Sequence, residues 1–170
     1  MRNFNKYLRV RNSLKTGDIV EFHGTGIISK LIRWRTHQKV NHTSVVIRLS
    51  SYYQNRIFII EALSLVVLNP LSTRLENYDG HVYISKMKSE NDRYREQIGR
   101  FLLMQCGKKY DYGGLFKQLF GHINIDLHRL FCSELATAAL EHVGLWDKND
   151  ALWPGEFQKT RIFHPKIKIF

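Results

Sequence analysis

Two cysteines and eight histidines occur in the 170 residues, and one of the cysteines is placed where acyl-transfer chemistry could be done. Cys132 opens a segment, 132–143, in which Leu135, Ala136, Ala139, Leu140 and Val143 fall on one helical face, with Gly144 as its stop. A cysteine at a helix start meets unpaired backbone N–H groups and the positive end of the dipole, both of which favour a thiolate. The same N–H groups, that of Cys132 included, can face an oxyanion during acyl transfer. Cys106 lies at the other end of its own predicted helix, beside Gly107, where the dipole works against a thiolate. It is expected to be a small buried hydrophobe. On position alone, a buried structural role explains Cys132 equally well.

A nucleophilic cysteine needs an imidazole within reach and a third group to orient that imidazole. His42 opens a β-branched run with no charged residue before Arg48, and Glu61 closes the apolar run 57–60. An acid in that position must be solvated or paired. If residues 51 and 52 form the centre of a hairpin, positions 42 and 61 fall opposite each other, with Cβ atoms ~5 Å apart. Taken singly, His42 is also explained as an ordinary surface or core histidine. His23, near Gly24 and Gly26, is a second imidazole close to the expected cleft. Glu134 reads as a dipole and capping residue, and Trp153-Pro154-Gly155 as a turn with a buried indole. No Cys-x-x-Cys or His-x-x-x-His pair occurs, so no closed zinc site, no other metal and no cofactor is expected.

The elements that must position these groups follow from periodicity. Strands are predicted at 19–22, 43–49, 57–60 and 81–84, the middle two forming an antiparallel hairpin through the polar segment 50–55. A short amphipathic helix is predicted over 27–34. A longer helix starts at Ser89 or Asn91, aligns Tyr94, Ile98, Phe101, Leu102 and Gln105, and stops at Gly107. A loop at 110–114 and a helical turn at 115–120 precede the Cys132 helix. The alternating segment 163–170, with Pro165, is expected as a closing edge strand. Strands and helices segregated in this way predict an α+β fold, an antiparallel sheet packed against helices, in a single domain over 1–170.

Hydrophobic residues at 44% and charged residues at 24% exclude a disordered chain. The net charge of +11 suits an anionic polymer, a membrane surface or nucleic acid, without choosing among them. The basic residues are scattered, and no zinc-finger or RNA-recognition signature occurs, so a solvated basic surface is the simpler reading. A basic nucleic-acid or anionic-surface binding domain with an inert Cys132 is nonetheless the competing function. The basic N-terminal stretch has no apolar run behind it, and the apolar stretches 57–60 and 63–68 fall far short of the ~20 residues of a membrane span. A cytoplasmic, reducing location is therefore expected.

Five segments together resemble one known group. They are Thr16-Gly17-Asp18-Ile19-Val20, Asn41-His42-Thr43-Ser44-Val45-Val46, Ile60-Glu61-Ala62, Tyr110-Asp111-Tyr112 and Phe131-Cys132-Ser133-Glu134-Leu135. In this order they resemble the YiiX/YaeF-type permuted relatives of the NlpC-type peptidoglycan cysteine peptidases, which are papain-like in fold. Histidine ahead of cysteine points to the permuted branch. The resemblance implies His42 as base, Cys132 as nucleophile and Glu61 as orienting acid. It also implies that Tyr110, or Tyr112 two residues on, lines the oxyanion or substrate side. The activity implied is that of a cysteine hydrolase, an amidase or peptidase. Its substrate would be a small-molecule, acyl or peptide amide or ester, such as a peptidoglycan stem peptide. An acyl conjugate of the kind handled by the related lecithin retinol acyltransferase group is the other candidate.

Overall fold

Val, Ile and Phe alternate or run together in six short stretches, and each becomes a strand. The computed structural model describes residues 4–25, 30, 34, 39–49, 56–63, 65–109, 132–147 and 150–170. The strands are β1 (Ile19–Gly24), β2 (His42–Ile47), β3 (Phe58–Ala62), β4 (Val66–Pro70), β5 (Gly80–Ser85) and β6 (Ile167–Lys168). They form one sheet in the order β4-β3-β2-β1-β5-β6, with every neighbouring pair antiparallel. The helices are α1 (Asn5–Arg11), α2 (Leu71–Glu76), α3 (Arg95–Leu103) and α4 (Cys132–His142). The predicted loop and helical turn at 110–120, nearly all of the predicted helix at 27–34 and the whole 50–55 connection lie outside the described residues.

Both faces of the sheet are covered, so β2 is buried at all six positions instead of alternating. On one face Ile19, Val45, Ile47, Ile60 and Ala62 pack with Ile98 and Leu102 of α3 and with Leu135, Ala136, Ala139 and Leu140 of α4. On the other, Val20, Phe22, Val46, Ile59 and Ile84 pack with Tyr7 of α1 and with Leu71 and Leu75 of α2. The α+β class and the antiparallel sheet against helices are as expected. No helix among the described residues is long and apolar enough to cross a membrane.

The Thr16-Gly17-Asp18 turn is an anchor between these layers. Gly17 takes φ +90°, a backbone conformation that side chains strain. That turn lets the buried Asp18 accept hydrogen bonds from the N–H groups of Lys15 (2.9 Å) and Met87 (3.1 Å). The Arg95 guanidinium of α3 donates to the same carboxylate (2.9 Å) and to the carbonyls of Thr16 (2.6 Å) and Met87 (2.8 Å). The mostly buried cation and the buried anion are thereby satisfied together, as burial requires.

Several elements differ from expectation. Val66–Pro70 is a strand, although Asn69-Pro70 reads as loop; Pro70 is tolerated because β4 is an edge strand and the proline ends it, standing before α2. Neither Ser89 nor Asn91 caps α3, which a 3-10 stretch (Ser89–Tyr94) leads in. The predicted edge strand over 163–170 shortens to Ile167–Lys168, paired with Tyr83 and Ile84. Phe163 makes only a single bridge, to Met87, and Pro165 between them has no N–H for a continuous ladder. Gly144, at φ +71°, ends α4 as predicted, whereas α3 stops at Leu103, four residues before Gly107 (φ +80°).

Candidate active site

The hairpin register decides which side chains meet. Val45 faces Ile60 and Ile47 faces Phe58, so continuing the register would set His42 across from residue 63, not Glu61 as expected. The two-residue offset preserves strand parity, and His42 and Glu61 still point to one face as diagonal neighbours. Nε2 of His42 lies 2.8 Å from Oε2 of Glu61, with the side chains 5% and 0% exposed. Oε1 of Glu61 accepts from Nδ2 of Asn69 on β4 (3.1 Å) and lies 3.3 Å from Nε of Arg74 on α2. Asn69 and Arg74 were not among the candidates, because the elements that carry them had no clear sequence signal.

Cys132 reaches the same place from the opposite face. Thr43, next along β2, would stand across from Ala62 if the β2–β3 ladder continued, but the pairing ends at Val45 and Ile60. The Thr43 N–H donates instead to Sγ of Cys132, at 3.0 Å. The leading sulfur of α4 thus occupies the open end of the ladder beside His42. Nδ1 of His42 is buried without a hydrogen-bond partner among the described residues. With Nε2 held by Glu61, Nδ1 is the nitrogen left to face the sulfur, which acts electrostatically on this ring.

Charge balance in the cluster follows from these contacts. Burial opposes a charged His42, yet Cys132 and then Glu61 outweigh it and raise the imidazole to about 9. Burial likewise opposes a charged Glu61, but the hydrogen bond and charge of His42, the Arg74 cation and Asn69 lower it to about 2. Relative to unfolded values of 6.5 and 4.5, the raised histidine contributes stability that fades as pH rises from 6.5 through 9. The depressed carboxyl contributes stability that fades as pH falls from 4.5 through 2. Glu61→Gln is therefore expected to destabilise the fold by about 3 kcal/mol. In denaturant titrations its deficit should be widest between pH 4.5 and 6.5 and shrink on both sides.

The remaining candidates separate. His23 stands on the opposite face of β1 from Phe22, whose ring packs 5.5 Å from that of His42. The His23 ring lies near that of His81 (5.8 Å), and its Nδ1 meets the Lys39 carbonyl. Glu134 occupies the first turn of α4 as expected. Burial raises its carboxyl to about 7, which leaves only part of a charge for the dipole near neutrality. Trp153-Pro154-Gly155 is a turn as predicted, with the tryptophan half-buried. It spans from α4, through Leu152 N–H to Thr137 Oγ1 (3.1 Å), to β1, through Gly155 N–H to the buried Glu21 (2.6 Å). Tyr110 and Tyr112 lie outside the described residues. Cys106 corrects its expectation: it is exposed, because α3 ends at Leu103 and Cys106 falls in the turn leading to Gly107. What cover it has pushes its thiol up.

Sheet, helices and cluster define an α+β protein with a buried Cys–His–carboxylate line at the open end of the β2–β3 ladder. Among solved structures the chain is similar to metalloprotein YiiX from Escherichia coli O157:H7, at TM-score 0.50 and 15% identity, over 91% of this chain and 95% of that one. That likeness, one of fold, agrees with the resemblance carried by the five ordered segments. No family model matches the sequence, and no curated protein does. The neighbour also overturns one expectation, that no metal is involved, since it is itself a metalloprotein. Among the described residues no three His, Cys, Asp or Glu side chains gather so as to hold a metal ion. These residues do not fit a closed metal site.

Proposed function

We propose that the chain is a cysteine hydrolase of the permuted papain-like type, acting by acyl transfer on an amide or ester. The observation that carries this is the imidazole of His42 fixed by Glu61 at 2.8 Å on one side and served by Cys132 on the other. In the reaction, Nδ1 of His42 takes the thiol proton and Sγ of Cys132 bonds to the carbonyl carbon. N–H groups at the start of α4 receive the oxyanion. Collapse breaks the bond to the leaving group, which takes the proton from His42. Water then attacks the thioester with His42 as base, releasing the acid and restoring the thiol. Glu61 stays ionised and orients the ring throughout.

Tyr110 is assigned to the substrate or oxyanion side on the resemblance alone. The substrate class is a small acyl or peptidyl compound, with wall peptides and acyl conjugates the two candidates that the sequence resemblance offers. A purely basic binding domain would leave a buried, charge-balanced Cys–His–Glu line without a purpose.

Because Cys132 and His42 are both buried, a small activated ester such as p-nitrophenyl acetate is the suitable probe. Rapid quenching and peptide mapping should find the acetyl group on Cys132, before and after EDTA dialysis. Acetylation confined to surface lysines would reject the proposal, and acetylation lost on chelation would move the chemistry to a metal.

A further inference from the structure

We infer that Arg74 is a positioning residue for His42, acting through the Glu61 carboxylate that it holds; this rests on the hydrolase reading above. Helix α2 starts directly after β4 and is pinned to the His42 face of the sheet by Leu71 and Leu75. That placement brings Nε of Arg74 to 3.3 Å from one Glu61 oxygen and 3.4 Å from the other. The guanidinium carbon lies 5.2 Å from the centre of the Phe22 ring and 5.3 Å from that of Tyr78, rings that themselves meet edge-on at 5.1 Å. A cation held against two aromatic rings is less free to leave its anion for water. Phe22 in turn packs on the imidazole of His42. One cation therefore bears on the orienting acid directly and on the imidazole at one remove.

Two consequences follow for proton transfer. With Arg74 and Asn69 both on Glu61, the carboxylate keeps its charge when His42 is protonated, so it orients the ring and does not accept the proton. The Arg74 charge also offsets part of the Glu61 pull on the imidazolium, which makes His42 readier to pass its proton to a leaving group. Among the described residues, the titratable groups acting on His42 are Cys132 from α4 and Glu61 from β3, with Arg74 of α2 reaching it through Glu61.

The test is an NMR pH titration of the His42 ring protons in the full chain, assigned by their loss in His42→Ala. Removing the cation in Arg74→Gln should move the His42 midpoint upward by roughly half a pH unit, about threefold in proton affinity. Arg74→Lys, which keeps the charge, should return most of that shift. If Arg74→Gln does not fold, Tyr78→Leu loosens the same cation and should move the midpoint in the same direction by less. An unmoved midpoint in the folded variant, or a Lys variant that behaves like Gln, would overturn the inference. The titration reads His42 whether or not an ester is turned over. Failure of the hydrolase reading would instead show as an unacylated Cys132.

Discussion

Replacing Cys132 by serine is expected to lower ester hydrolysis by about 10⁴-fold while leaving the fold intact. Oxygen is smaller than sulfur, and its hydroxyl gives up a proton far less readily to an imidazole poised for a thiol. The contact that places the sulfur, the Thr43 N–H at 3.0 Å, can be kept by serine, so little stability should be lost. Release of p-nitrophenol by the purified variant, beside its thermal melt, measures both halves. Retention of activity within tenfold would mean that Cys132 is not the nucleophile.

Replacing His42 by alanine is expected to cost about 10³-fold, the worth of a well-placed general base. Glu61 keeps Asn69 and Arg74 in that variant, so its buried charge is not orphaned and the chain should still fold. The deletion leaves a ring-sized space between Glu61 and Cys132, which free imidazole can enter. Added imidazole should therefore restore a measurable part of the rate, rising with concentration. His23→Ala, made beside it, should leave the rate near wild type, since that ring's Nδ1 is engaged by the Lys39 carbonyl. If His23→Ala shows the large loss and His42→Ala does not, the base has been misassigned.

The parts of the site on long or strongly patterned elements could be anticipated from sequence. Cys132 leads an apolar-striped helix, and His42 and Glu61 bracket a hairpin whose parity survives a two-residue error in register. The support behind Glu61 could not be anticipated. Asn69 sits on an edge strand ending in Asn-Pro, a pair that ordinarily signals a loop, and Arg74 sits on a six-residue helix too short to show a period. Helix α1 escaped notice for the same reason. The burial expected of Cys106 failed because the dipole argument speaks to thiol chemistry, while exposure depended on where α3 stopped. No ligand spacing in the sequence foreshadowed the metal named for the fold neighbour YiiX.

The pairing of Cys132 with His42 is tested most directly by competition between the two cysteines. Cys106 is exposed and Cys132 is buried, so simple accessibility and chemical activation predict opposite orders of alkylation. Native protein treated with limiting iodoacetamide near neutral pH, then mapped by mass spectrometry, should carry the label on Cys132 at least about tenfold faster than on Cys106. That preference should vanish in His42→Ala. Labelling of Cys106 first, with Cys132 modified only after unfolding, would contradict the account.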